Sequence, residues 1–237
     1  DALPISLNLS GSLDGAGATL TAATTTLNGG AVHANLGAGS LVSLGSSTLV
    51  GTADVSSVNV LAGTLTLDSA GRLAVAPAMN VDGGAALSLG GNEVVGGLTG
   101  AGTVHLGGAT LAVSLSGAGS FAGSIDGSGG LIKQGAGTFS LSGVQSYSGG
   151  TTVDGGTLAT LASNLLPDTS AVAVNSGATL SLGGDDTVGS LALLGTLSGS
   201  GTLSAASYTT GFGAVIDANL GAGTLVVSGD TALNGTA

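Results

Sequence analysis

Few residues of this 237-residue chain could do acid–base chemistry. The one adjacent acid pair is Asp185-Asp186, in the turn Gly-Gly-Asp-Asp-Thr-Val-Gly. Grouped acids backed by a basic residue in a groove are what carbohydrate-cleaving lyases and hydrolases use, with each carboxylate tuned by its surroundings. The only cations are Arg72 and Lys133. Asp is also favoured in turns, where its carboxylate bonds nearby backbone N–H groups, and both acids read here as solvated turn residues. His33 lies in Val-His-Ala and His105 in Val-His-Leu. Strand alternation points both outward, as surface residues without a ligand role. No Cys is present, and HExxH, P-loop, EF-hand and nonapeptide calcium signatures are all missing. The expectation is no catalytic, cofactor-binding or metal-binding residue, no cofactor, and a chain that is not an enzyme.

What remains is the framework. Gly supplies 47 residues, charged side chains 6% and aromatic ones 2%. Each Gly costs a helix about 1 kcal/mol relative to Ala, so this Gly density excludes long helices. Disorder is excluded by the regular placement of Leu, Val and Ile. Short apolar runs, such as Phe139 with Leu141, are bounded by Gly, Ser, Thr and Asp about every eight to twelve residues. The chain therefore reads as all-β and stacked, a single unit over 1–237. At about 20 residues per rung it gives roughly a dozen rungs. At about 4.8 Å per strand the rod is roughly 55 Å long.

Charge narrows the partners. The formal net charge is −11, and two cations cannot neutralise a phosphate backbone, which excludes nucleic acid. An anionic membrane surface is disfavoured for the same reason. No apolar run approaches the roughly 18 residues of a spanning helix, so no membrane insertion is expected. The first residues, Asp-Ala-Leu-Pro-Ile-Ser, lack the basic start and apolar run of a signal peptide. An internal fragment of a longer secreted chain is expected.

Internal repeats run through the sequence. Residues 63–98 align without gaps on 156–191, placing Leu87, Leu89, Gly90 and Gly91 on Leu180, Leu182, Gly183 and Gly184. Asn92-Glu93 falls on Asp185-Asp186, and Arg72 on Leu165, which marks Arg72 as a variable surface position. Residues 34–42 match 218–226. The two offsets point to a long unit of about 184 residues with related halves, a way to build reach. Thr-rich stretches such as Thr24-Thr25-Thr26 do not show the rung-by-rung Thr-x-Thr register of an ice-binding face.

The most informative segment is 129–158. Its Leu131, Lys133, Gly135, Gly137, Thr138, Leu141, Gly143, Tyr147, Gly149, Gly150, Thr151, Val153, Gly156, Thr157 and Leu158 resemble the passenger-associated transport repeat of Gram-negative autotransporters. Phrases such as Gly-Thr-Leu-Thr-Leu elsewhere are similar to those of very large autotransporter and filamentous-haemagglutinin-like adhesins. One departure is visible: Gln145-Ser146 precede Tyr147, where the family usually carries Asn.

The resemblance implies a right-handed parallel β-helix. It also implies type V secretion through the periplasm and an outer-membrane β-barrel, fused or separate, to the surface of a Gram-negative bacterium. The repeat would aid secretion and folding there. Lys133 falls on the family's Lys and is expected at the surface, snorkelling or pairing with an acid. The expected function is a rigid adhesin stalk meeting host, matrix polysaccharide or another copy. The alternatives are a carbohydrate-cleaving β-helix enzyme and a polysaccharide-binding module.

Overall fold

The inward Leu and Val that alternate with polar residues form stacked columns, as the sequence pattern requires. The computed structural model describes residues 6–236. Among them no helix occurs, and every strand pairing is parallel. Strands typically run four residues with alternating burial, as in Thr64–Leu67, Ala86–Leu89 and Thr179–Leu182. Such alternation buries one face of each strand and leaves the other toward solvent.

Among the described residues the chain coils through three large sheets in turn, with a separate two-stranded pair, Thr19–Leu20 and Asn35–Leu36, near the start. The first has thirteen strands, one per turn, which gives the rung number read from the sequence. The second has six strands and the third has nine. One circuit runs Ala78–Val81, Ala86–Leu89, Glu93–Val95, and returns to the first sheet at Gly97–Gly100. Turn length varies from 16 residues, Thr24 to Ser40, to 22, Thr157 to Thr179. In the first sheet one inward column reads Leu41, Val58, Met79, Leu98, all buried. Each such side chain contributes about 1.5–3 kcal/mol of burial before chain entropy is subtracted.

The three faces demand the same inward pattern, so a repeated sequence need not keep its face. Thr64–Leu67 lies in the second sheet, whereas its counterpart 93 residues on, Thr157–Thr160, lies in the first. Ala78–Val81 of the first sheet corresponds to Ala171–Val174 of the third.

Glycine is needed where corners stack backbone on backbone. A Cβ at Gly149 would land on the Gly129 carbonyl oxygen. Gly135 turns the corner after Leu131–Gln134 with φ 74°, a left-handed conformation that costs Gly little.

The second sheet is interrupted. Its last strand is Ser124–Asp126, and the next two turns carry no strand on that face. The segments 142–150 and 161–170 are irregular there. Regular pairing resumes with the long strands Asp186–Leu193 and Thr202–Thr210. The interruption overlaps the segment 129–158.

Candidate functional site

Lys133 lies in the core. Alternation along Leu131–Gln134 turns Leu131 and Lys133 to the same, inward side. Lys133 stacks between Val113 and Val153 and is 0% exposed. Its ammonium donates to the carbonyls of Gln134 (2.7 Å), Gly135 (2.8 Å) and Gly155 (3.0 Å). Three donors meet three acceptors at the corner, and no carboxylate takes part. Burial pushes its pKa below the ordinary lysine value. The surface role expected for it is therefore corrected. The aliphatic stem fills a core position, and the charge is satisfied by corner carbonyls, of which that of Gln134 also accepts from Leu115 N–H.

Gln145 and Tyr147 also point inward and are buried. Gln145 Oε1 accepts from Ile125 N–H at 2.8 Å, and its amide donates to the carbonyls of Gly123 (3.2 Å) and Gly143 (2.5 Å). The side chain thus supplies bonds that a regular strand would have made with its backbone. These three bonds are what Gln145 makes at the position where the motif usually carries Asn. The Tyr147 hydroxyl meets Thr151 Oγ1 at 2.5 Å, and burial raises its pKa above the ordinary tyrosine range.

Comparison with known proteins shows what this motif is similar to. Residues 131–159 match the family model described as passenger-associated-transport-repeat. The segment is similar to a transport repeat. Together with the β-solenoid it fits an autotransporter passenger domain. No curated protein and no solved structure matches the chain.

Outside the transport repeat, the acid pair divides its labour. Asp185 is exposed, and its carboxylate accepts from Thr202 N–H of the next turn at 2.8 Å. Asp186 is buried, which corrects its reading as a solvated turn residue. Its carboxylate accepts from Leu165 N–H (3.2 Å), Leu166 N–H (3.3 Å) and Thr187 N–H (3.0 Å). Burial raises its pKa, against the lowering pull of those N–H donors.

The same device stands 93 residues earlier. Asn92 Oδ1 accepts from Thr110 N–H at 2.8 Å, while buried Glu93 accepts from Arg72 N–H (2.6 Å) and Leu73 N–H (3.2 Å). Burial raises the Glu93 pKa too. Each pair therefore staples three successive turns. Arg72 enters the staple through its backbone N–H, and its half-buried guanidinium donates to the Val50 carbonyl. Two carboxylates facing adjacent turns do not converge on one substrate, so this pair gives no support to glycan cleavage.

Both histidines point outward, as alternation requires, and each meets an acid of a neighbouring turn. His33 Nδ1 lies 3.2 Å from Asp14, and His105 Nδ1 lies 2.8 Å from Asp126. Register places Ser88, His105 and Asp126 on three successive strands of the second sheet. No hydrogen bond joins Ser88 to His105 among the described residues, so the three do not form a relay. No group of three or more His, Cys, Asp or Glu gathers there that could hold a metal. No helix among those residues is long and apolar enough to cross a membrane.

Sequence reasoning names Glu93 and Gln145 without giving either a role, and Pro167 is passed over. Glu93 carried a signal, since it aligns with Asp186 in the repeat. A hydroxyl row was missed as well: Thr138, Thr157, Thr179 and Thr196 fall in register on the outer side of the first sheet, giving way to Ala118 and Gly97 in preceding turns.

Proposed function

We propose that this chain is a stalk segment of a surface-displayed adhesin, in which the solenoid supplies rigid reach and the transport repeat aids emergence and folding at the cell surface. The observation that carries this reading is a transport repeat embedded in a continuous thirteen-strand parallel sheet. Each turn contacts its neighbours alone, so a chain emerging from a pore can add turns one at a time. Burial of a few Leu or Val per turn, about 1.5–3 kcal/mol each, opposes backsliding without an external energy source. The absence of Cys keeps the unfolded chain free of premature disulfides.

The partner in export is an outer-membrane β-barrel, fused or separate, of a Gram-negative cell. The role includes no catalytic step. To test it, the chain is fused to a translocator barrel and its arrival outside the cell is read by protease shaving. Wild-type sequence should appear at the surface, and Tyr147→Ala should lower display more than Leu180→Ala does. Equal display of all three would overturn the role given to the repeat. Adhesion is read separately, by clumping of beads coated with the chain. Unsaturated ends released from acidic polysaccharide with Ca²⁺ would overturn the non-catalytic reading.

A further inference from the structure

The interrupted second sheet leaves a cleft. Ser146 N–H still donates to Ile125 O (2.9 Å), and Gln145 N–H to Leu165 O (2.9 Å). In a parallel ladder the next donor, toward the Gln145 carbonyl, would be residue 167. That residue is Pro167, which has no N–H. No ladder bond joins 146–148 to 166–169 among the described residues. The two turns part and leave an opening of about 410 Å³, within the rough 300–1,000 Å³ of small-ligand sites.

The lining is of two kinds. Ser146, Ser148, Asn164 and Asp168 bring hydroxyl, amide and carboxylate groups, while Val144 and Pro167 form an apolar strip. Val144 is 64% exposed, unusual for a residue of its type in this molecule. Asp168 is exposed and has no hydrogen-bond or ion-pair partner among the described residues. Asn164 is the one non-glycine residue among them with a left-handed backbone, φ 54°. Asn tolerates that conformation, because its short side chain can bond locally, and it turns the chain at the rim of the opening. Behind the opening, Gln145, Tyr147 and Asp186 are buried and hydrogen-bonded, so the walls are fixed.

We propose that this cleft binds an amine-bearing oligosaccharide, with its ammonium on Asp168, its hydroxyls on Ser146, Ser148 and Asn164, and its C–H face against Val144 and Pro167. Many short polar groups beside a small apolar strip match a sugar ring better than an apolar ligand. The chain's net charge of −11 repels acidic sugars. Asp168 also raises the pKa of buried Asp186 by like charge, a repulsion that a bound ammonium relieves. The site goes beyond the stalk reading and does not depend on it.

Calorimetric titration of the whole chain tests it, with a tetramer of glucosamine, its N-acetylated form and oligogalacturonate as probes. The glucosamine tetramer should bind best and oligogalacturonate not at all. Asp168→Asn should weaken that binding about tenfold or more, as loss of a charge-assisted bond implies, with the circular dichroism spectrum unchanged. Asp230→Asn, an acid of the last turn, should not. Equal weakening by both variants, equal binding of the acetylated tetramer, or no binding at millimolar probe would each overturn the proposal. None of these outcomes bears on surface display, so the two readings fail separately.

Discussion

The turns from Ser57 to His105 and those from Leu131 to Leu166 build the same rod by different means. In the earlier turns the first and second faces carry strands, and the inward positions are Val58, Leu65, Met79, Leu87 and Val104, joined by backbone ladders. In the later turns the second face has no strand, and Lys133, Gln145 and Tyr147 occupy inward positions. The first sheet runs through both regions unbroken. Aliphatic burial suffices on the first and second faces of the earlier turns, where the ladder is complete, and buried Glu93 stands only at the start of the third. Where the ladder lapses, buried polar side chains take over the bonds, because an unpaired buried N–H or C=O costs about 1–3 kcal/mol.

The comparison is broken most directly at Tyr147. Tyr147→Ala removes the largest buried side chain of the interrupted turns and should cost about 3–5 kcal/mol in denaturant unfolding. Tyr147→Phe, which removes the bond to Thr151 alone, should cost about 1 kcal/mol. Leu87→Ala in the regular turns is the reference. If Tyr147→Ala costs less than that reference, the polar interior is not what holds these turns. Gln145→Leu comes next, at about 1–3 kcal/mol, because Ile125 N–H and the Gly123 and Gly143 carbonyls lose their partner. Hydrogen exchange should show lost protection at the Ile125 amide while the Leu87 and Val104 amides keep theirs.

Much of the framework was legible in the sequence because its cause is local. Period-two Leu and Val with glycine at corners specify stacked strands whichever face they join. The same alternation placed His105 outward correctly, and applied to Leu131 and Lys133 it would have placed the lysine inward. Chemistry overrode pattern there, since a charge is costly in a core unless fully bonded. The carbonyls of Gln134, Gly135 and Gly155 that satisfy it come from two different turns. Asp186 misled for the same reason: its partners, Leu165 and Leu166, are some 20 residues distant in sequence. The cleft was hidden because it depends on Pro167 facing Ser146 across turns.

Acidity separates the staples from the lysine. Burial raises the pKa of both Glu93 and Asp186 in the folded state. The folded chain then binds protons more readily than the unfolded one, so their contribution to stability grows as pH falls through the raised values. It levels off below the ordinary carboxylate range, roughly pH 4. Lys133 runs the other way: its lowered pKa makes stability grow as pH rises through the folded value, up to roughly pH 10.4. Unfolding midpoints across pH should lose the acidic slope in Glu93→Gln with Asp186→Asn, and the alkaline slope in Lys133→Met. An acidic slope that survives the double variant would show that these two buried carboxylates do not carry it.

The smallest effect is the sharpest test of how a staple works. Glu93 grips the backbone N–H of Arg72, not its guanidinium. Leu165, the counterpart of Arg72 in the second half, is gripped by Asp186 in the same way with no charge at all. Arg72→Leu should therefore cost about 1 kcal/mol, the net worth of the part-buried bond to the Val50 carbonyl, since the second bond, to the Ala70 carbonyl, is long (3.5 Å) and exposed. Glu93→Ala leaves the N–H groups of Arg72 and Leu73 buried and unpaired, and should cost more by a clear margin. If the two substitutions cost the same, the Arg72–Glu93 attraction is an ion pair in its own right. The likeness between the two halves would then lie in sequence alone, without a shared mechanism.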